Sequence, residues 1–182
     1  MYGRTKLLGE RAIESFADGS FPAHLFLKSN LYGDHIVDDT VVSKPTVINF
    51  FVDRATAGES LTVYEPGTQS RNFVHVKDVA RAYVWSTEWL LEQLADGETG
   101  TETYEIAGNE DPSVMSVAET VQELAHDELD VSVDVELVEN PRSAETLVED
   151  FTVDTSKANE LLKWEARNTV KESVRKLLQR NA

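Results

Sequence analysis

Hydrophobic residues along the chain follow two spacings, one typical of helices and one typical of short strands. Apolar positions recur at helical spacing in several stretches, as at Leu8, Ala12 and Phe16, and this period predicts amphipathic helices. The predicted helices cover about 2–18, 45–58, 78–94, 116–125 and 154–162, and a last one starts at Thr169. Runs of β-branched and aromatic residues predict strands at 24–30, 61–64, 71–76, 103–107 and 131–138.

Polar residues at the helix starts support these boundaries. Asp78 stands where it can cap the third helix. Ser116 and Thr169 each precede a glutamate by three residues, which is the capping-box pattern. The segment from Gly33 to about Lys44 is mainly polar and predicts a loop. Helices and short strands in mixed order indicate an α/β fold.

Length and composition exclude several classes of protein. With 182 residues the chain forms one domain or slightly more. It has no apolar run long enough to span a membrane and no charged-then-apolar leader, so we expect a cytoplasmic protein. It has no cysteine, which excludes disulfides and thiolate chemistry, and its four histidines are scattered, so we predict structural or surface histidines and no metal site.

Acidic residues are spread along the whole chain. The 33 Asp and Glu against 17 Lys and Arg give a formal net charge of −16. A surface of this charge repels nucleic acid and anionic membranes, so we expect neither as a partner. We interpret the dense acid and the scarcity of lysine as halophilic, suited to a high-salt cytoplasm; the alternative is an ordinary acidic protein.

Screening of this charge gives a test in solution. Because added salt weakens the mutual repulsion of the carboxylates, we expect the melting temperature of the chain to rise from dilute buffer to molar KCl. Differential scanning fluorimetry across that range measures the effect. A melting temperature that stays flat contradicts the high-salt interpretation.

The first residues hold the pair of side chains best suited to acid–base chemistry. Tyr2 and Lys6 are four positions apart, so on a helix they share one face. An ammonium group beside a phenol favours the phenolate and lowers the pKa of the tyrosine from its usual value of about 10. Taken alone, the pair is better explained by an ordinary helix start, because so short a motif occurs by chance.

Longer motifs, in a fixed order, make the pattern specific. The run Y-G-R-T-K-L-L-G-E at 2–10 resembles the Y-x-x-x-K helix of the short-chain dehydrogenases/reductases. Its form is similar to that of the extended branch, the NAD-dependent epimerase/dehydratase family that includes UDP-glucose 4-epimerases. The resemblance implies that Tyr2 takes a proton from a sugar hydroxyl as NAD accepts hydride. It also implies that Lys6 holds the nicotinamide ribose, so both residues are catalytic and cofactor-binding.

The segment Asn30-Leu31-Tyr32-Gly33 resembles the N-V-Y-G segment of the same family. The resemblance implies that Asn30 contacts the diphosphate of a nucleotide sugar and that the backbone at Leu31 meets the nicotinamide. Leu27 stands where the family commonly has an arginine. Without that context Asn30 is equally compatible with a turn residue that bonds its own backbone.

The run R-N-F-V-H-V-K-D-V-A at 71–80 resembles the family's R-D-F-V-H-V-x-D-V-A. The resemblance implies that Arg71 binds the nucleotide diphosphate, a role for which the planar fork of a guanidinium is suited. For His75 and Asp78 we predict structural roles. Asn72 stands where the family usually has aspartate.

The last third of the chain resembles the closing part of the family pattern. Asn140-Pro141-Arg142 precedes D-T-S-K-A at 154–158 and L-L-K-W at 161–164. The resemblance implies that Arg142 is a second ligand of the diphosphate. We therefore expect Asn30, Arg71 and Arg142 to converge on one pocket.

The resemblance implies the C-terminal part of an extended Rossmann-type fold. Residues 1–44 would be a remnant of the dinucleotide-binding domain, and 45–182 the lobe that binds a UDP- or dTDP-sugar. The glycine-rich dinucleotide turn and the Ser/Thr partner of the tyrosine would lie upstream of Tyr2. We therefore expect a nucleotide-sugar 4-epimerase whose isolated fragment is inactive and binds NAD poorly. The alternative is a non-catalytic module for nucleotide-sugar binding or dimerisation.

The same resemblance implies a homodimer or a higher oligomer. In the family, the helix that bears the Tyr and Lys packs against its twin in a helix bundle. A helix without its upstream neighbour would also leave apolar residues exposed.

Overall fold

The computed structural model describes residues 2–141 and 151–181, and for Tyr2 it describes the backbone alone. Helices and short strands alternate along these ranges. The helices are α1 (Tyr2–Ala17), α2 (Val47–Thr56), α3 (Val76–Ala95), α4 (Val114–Leu129), α5 (Ser156–Leu162) and α6 (Val170–Asn181). The strands are β1 (Pro22–Lys28), β2 (Asn30–Tyr32), β3 (Asp34–Val37), β4 (Thr40–Ser43), β5 (Leu61–Tyr64), β6 (Phe73–His75), β7 (Gly100–Ile106) and β8 (Val135–Val138).

The chain forms two compact units, each assembled from separate segments. Of the described residues, the first unit contains 2–28, 79–106 and 154–165. The second contains 29–78, 107–141 with 151–153, and 166–181. Within the described ranges, no helix is both long and apolar enough to cross a lipid bilayer.

The first unit is built on the parallel pair β1–β7. Pro22 lies opposite Gly100 at one end of this pair and Lys28 lies opposite Ile106 at the other. Helices α1 and α5 both contact β7, and the indole of Trp164, just after α5, is fully buried. The second unit holds the larger core, in which apolar faces of α2, α4 and α6 pack together and against β5 and β8. Its strands form the parallel pairs β2–β6 and β5–β8 and the antiparallel hairpin β3–β4.

A buried histidine ties β1 to α3 in the first unit. His24 places Nδ1 2.8 Å from the Ser86 hydroxyl and Nε2 2.9 Å from the amide oxygen of Gln93. Because that oxygen can only accept, Nε2 carries the proton and Nδ1 accepts from Ser86. Burial lowers the pKa of His24 below its ordinary value, although Glu102 lies 4.0 Å away. His24 is therefore neutral and has the structural role predicted for it.

Two predicted segments between β1 and β4 differ from the structure. The strand expected at 24–30 is divided at Ser29, since β1 pairs in the first unit and β2 starts a new pair in the second. The loop expected to run to about Lys44 instead forms the hairpin β3–β4. Its turn is Asp38-Asp39, with φ values of 47° and 62°, so both residues adopt the left-handed conformation of a type I′ turn. Two aspartates are a less familiar signal for that turn than Asn-Gly, and the prediction missed it.

The strand expected at 131–138 is shorter and begins at Val135. The cause is the longer helix α4, which ends in a left-handed C-cap at Asp130 with φ of 55°. The cap brings the Val131 amide back to the carbonyl of Ala125, 3.3 Å away. Val131 and the residues after it therefore close the helix before the strand can start.

Two predicted caps were also wrong, and one is confirmed. Helix α3 begins at Val76, so Asp78 lies inside its first turn and does not cap it. Helix α4 is capped by Ser113, whose hydroxyl accepts from the Ser116 amide at 3.0 Å. Thr169 does cap α6, because its hydroxyl accepts from the Glu172 amide at 3.3 Å.

Candidate functional site

Strand β2, which pairs in parallel with β6, contains two of the predicted site residues, Asn30 and Leu31. Asn30 lies opposite Phe73, and Leu31 lies opposite Val74. The backbone amide and the side-chain amide of Asn30 both donate to the carbonyl oxygen of Asn72, at 3.2 and 3.0 Å. Asn30 is therefore fixed to the backbone of Asn72, the residue that follows Arg71. Leu31 is half-buried in β2.

Asn72 is the centre of this arrangement. Its side chain is buried, and its Nδ2 donates to the carbonyls of Gly108 and Glu110 at 2.8 and 3.2 Å. Its Oδ1 accepts from the Gly108 amide at 2.9 Å. One amide side chain thus holds the turn after β7, while the carbonyl of the same residue holds Asn30.

The approach of this turn to β6 requires a glycine. A Cβ on Gly108 would lie 2.0 Å from the carbonyl oxygen of Phe73, so any side chain there forces the turn away. The same turn continues to Glu110, whose carboxylate accepts from the Val170 amide at 3.0 Å and so caps α6. The roles of Gly108 and Glu110 were not predicted from the sequence. For Asn72, the signal was an amide at a position where the family usually has aspartate.

Arg71 has a fixed backbone and an available side chain. Its amide donates to the Pro112 carbonyl at 3.1 Å, and the neighbouring bridge Ser70–Ser113 holds the segment against the start of α4. The residue is half-buried, and among the described residues its guanidinium makes no hydrogen bond or ion pair. A guanidinium that no described residue neutralises can accept an anionic ligand.

Tyr32 and Gly33 form the frame behind Asn30. The Tyr32 hydroxyl lies 3.3 Å from both the Ser173 hydroxyl and the Asn168 carbonyl oxygen. Burial raises the pKa of Tyr32 well above its ordinary value, so this phenol is a structural group at neutral pH. Gly33 has φ of 84°, and a Cβ there would lie 2.2 Å from Nε2 of His75. Only glycine fits at this position.

His75 and Asp78 have the structural roles assigned to them. The His75 ring is buried edge-on to Tyr32, with 5.1 Å between ring centroids, and its Nδ1 accepts from the Lys77 amide at 3.1 Å. Asp78 is fully buried. Its carboxylate accepts from the backbone amides of Arg167 and Asn168 at 3.2 and 3.0 Å and from the Asn168 side chain at 2.8 Å. Asp78 therefore anchors the segment that leads into α6.

The proposed catalytic pair belongs to the other unit. Tyr2 and Lys6 lie in the first two turns of α1, and the Lys6 side chain is exposed. The side chain of Tyr2 and the whole of Arg142 lie outside the described residues, so their convergence with other site residues stays a prediction. The described residues also contain no cluster of acids and histidines suited to a metal ion.

The residues of this chain fit only part of a nicotinamide dinucleotide. Lys6 lies at an exposed position of α1, and Leu31 is half-buried in β2. No glycine-rich turn joins a described strand to a helix N-terminus in the pattern that cradles a pyrophosphate. The described residues therefore contain no such cradle for the diphosphate of the cofactor, and contact of Lys6 and Leu31 with its nicotinamide end stays a prediction.

Known proteins similar to this chain handle nucleotide sugars. UDP-glucuronic acid decarboxylase 3 of Arabidopsis thaliana is 31% identical over 150 residues, which is 80% of this chain and 36% of that protein. A dTDP-D-glucose 4,6-dehydratase of Mus musculus is 28% identical over 124 residues, which is 68% of this chain and 31% of that protein. The chain thus spans about a third of the length of these curated relatives.

Solved structures share the fold over the full length of the chain. A UDP-glucose-4-epimerase from Stenotrophomonas maltophila, with bound NAD and formylated UDP-arabinopyranose, gives a TM-score of 0.75 at 23% identity. The match covers 99% of this chain and 54% of that one, so the fold is the corresponding part of an extended short-chain dehydrogenase/reductase. Residues 1–107, more than half of the chain, match the NAD dependent epimerase/dehydratase family. On its sequence and its fold, this chain belongs to that family.

Proposed function

We propose that this chain is the nucleotide-sugar-binding part of an NAD-dependent sugar-nucleotide 4-epimerase. The observation that carries the proposal is the pair of hydrogen bonds that fixes Asn30 of β2 to Asn72, the residue that follows Arg71 and precedes β6. Arg71 is half-buried, and among the described residues its guanidinium makes no hydrogen bond or ion pair. An amide donor and a guanidinium in one place suit the oxygens of a diphosphate. We place Arg142 at the same diphosphate, as a second cation.

The chemistry proposed for the first unit depends on Tyr2 and Lys6. Tyr2 removes the proton from a sugar hydroxyl. It returns the proton after the oxidised sugar has rotated and presents its opposite face. Lys6 holds the ribose of the cofactor and keeps the Tyr2 phenolate stable. NAD supplies the hydride acceptor when it is bound. Because these groups need a dinucleotide clamp and a Ser/Thr partner to be oriented, we propose that the 182-residue chain alone is inactive.

A second candidate function is decarboxylation of a UDP-glucuronic acid. It is favoured by the relatives at 30–31% identity, which are UDP-glucuronic acid decarboxylases of Arabidopsis thaliana. The two reactions would share the Tyr2 and Lys6 chemistry and differ in the sugar that the second unit accepts. A third possibility, a non-catalytic binding module, predicts nucleotide-sugar binding without turnover in any context.

Loss of the Arg71 guanidinium is expected to weaken UDP binding about 10- to 100-fold. The basis is that a hydrogen bond to a charged group contributes about 1.5–3 kcal/mol. Isothermal titration of the chain with UDP, for wild type and Arg71→Ala, measures the change. The matched control is Arg175→Ala, since Arg175 pairs with Glu128 at 2.8 Å on the surface of the same unit. Equal affinity of the two variants would contradict a diphosphate role for Arg71.

We also propose association through the helices of the first unit, in the cytoplasm. Large apolar side chains are exposed along both α1 and α3, among them Leu8, Phe16, Leu91 and Leu94. Exposed apolar surface of this extent is typical of an interaction site. A homodimer that covers α1 and α3 agrees with the helix bundle implied by the family resemblance.

A further inference from the structure

A second exposed apolar surface lies on the hairpin β3–β4 of the other unit. Ile36, Val37, Val41 and Val42 are 53%, 49%, 50% and 55% exposed. All four are β-branched residues, which strongly favour strands but are seldom left uncovered. A hairpin of two strands is marginal in water without further pairing or packing. The hairpin therefore carries more strand-forming apolar surface than it buries.

Strand β4 also presents an open edge. Among the described residues, β4 pairs only with β3, through Thr40 opposite Val37, Val41 opposite Ile36 and Val42 opposite His35. In a hairpin with a two-residue turn, the residues that flank the turn exchange hydrogen bonds, and successive pairs then alternate. Thr40 and Val42 consequently point their backbone groups towards β3. Val41 and Ser43 point theirs outwards, where they can receive another strand.

The charges around β4 select the partner. The hairpin tip carries Asp38 and Asp39, and the opposite end of β4 is followed by Lys44. An antiparallel copy of the same strand would bring the acidic tip of each hairpin alongside Ser43 and Lys44 of the other. This arrangement makes two opposite-charge contacts from one strand sequence, a self-complementarity that a twofold axis requires.

We propose that β4 pairs with β4 of a second copy of this chain, antiparallel about a twofold axis at Val41. Because the backbone groups of Val41 point outwards, this register forms regular hydrogen bonds between the two copies. It also places four side chains in one row across a four-stranded sheet. The row runs from Ile36 and Val41 of one copy to Val41 and Ile36 of the second. Cross-strand pairs of β-branched residues in such a row stabilise a sheet.

Neighbouring registers lose one or both of these features. An axis at Val42 would place Asp39 opposite Pro45 and Thr40 opposite Lys44, so the charges no longer pair. An axis between Val41 and Val42 would set an outward residue against an inward one and break the hydrogen-bond pattern. The contact covers few residues, so it is weak. It grows stronger with salt, because screening reduces the repulsion between two chains of net charge −16.

A disulfide test is free of background because the chain has no cysteine. Residues that form a hydrogen-bonded antiparallel pair have Cα atoms about 5.5 Å apart, which a disulfide can bridge. We expect Val41→Cys to form a covalent dimer of twice the 20.3 kDa chain mass under mild oxidation, at least about tenfold faster than Val37→Cys. Val37 lies on β3, on the outer strand of the proposed sheet. Equal rates for the two variants would indicate random collision and overturn the proposal.

Sedimentation in molar KCl tests the same contact without a covalent bond. Val41→Pro removes the outward amide and leaves the hydrogen bonds within the hairpin intact. We expect it to halve the mass of the largest species, whether that is a dimer or a tetramer built with the α1 and α3 faces. Val41→Thr keeps the amide and should sediment as wild type. Circular dichroism verifies that both variants fold, and an unchanged mass for folded Val41→Pro rejects β4 pairing.

Discussion

Replacing Tyr2 by phenylalanine, in a protein that also carries a dinucleotide-binding half, is expected to lower kcat about 10²- to 10⁴-fold. That range is the usual contribution of one positioned acid–base group. The substitution removes only the hydroxyl, so folding and NAD binding should change little. Turnover of UDP-glucose, followed as formation of UDP-galactose, measures the effect. Arg11→Gln, at an exposed position of the same helix, is the matched control.

The same protein separates the candidate functions. Product analysis with UDP-glucose and with UDP-glucuronic acid distinguishes an epimerase from a decarboxylase, and turnover of neither favours the binding module. For the 182-residue chain alone we expect no turnover and no micromolar NAD binding in a calorimetric titration. Micromolar binding by that chain would show that it holds a cofactor site not identified among its residues.

Asn72→Ala is expected to destabilise the second unit by about 3 kcal/mol. The substitution removes three hydrogen bonds of a buried side chain, each worth about 1 kcal/mol, and leaves the Gly108 and Glu110 carbonyls without this donor. Urea unfolding followed by tryptophan fluorescence and circular dichroism measures the loss. Asn30→Ala removes one hydrogen bond of an exposed side chain and should cost about 1 kcal/mol or less.

Asn72→Asp separates hydrogen bonding from size. The family usually has aspartate at this position, yet a carboxylate cannot donate to the two carbonyls that Asn72 holds. We expect Asn72→Asp to destabilise the chain at pH 7 nearly as much as Asn72→Ala. An aspartate variant as stable as wild type would show that the turn at Gly108 does not depend on the amide donors.

Motif order was the strongest signal in the sequence, and local geometry was the weakest. The order of the Tyr2, Asn30 and Arg71 motifs predicted the family and the fold class. Each motif is a run of several residues, and three such runs in a fixed order seldom match by chance. Spacing could not reveal that Asn72 clamps the turn at Gly108. That contact joins parts of the chain 36 positions apart and depends on one amide.

The start of α4 was predicted wrongly because tertiary contacts, and not local sequence, determine it. Ser113 and Ser116 are both suitable caps by type. The amides of Val114 and Met115 donate to the carbonyls of Gln69 and Gly67 at 3.3 and 2.9 Å, and these contacts accompany a helix start at the earlier serine. Only the packed loop decides between the two positions, so local sequence could not.

Assembly of each unit from separate segments has a consequence for synthesis on the ribosome. The first unit requires residues up to 165, and the second requires α6, whose Ser173 meets Tyr32 across 141 positions. Strand β1 cannot find its parallel partner until β7 has been made. Pairings of such long range form slowly, and unpaired apolar strands aggregate while they wait. The nascent chain therefore emerges with both cores open, and each closes only when its last segment has left the ribosome.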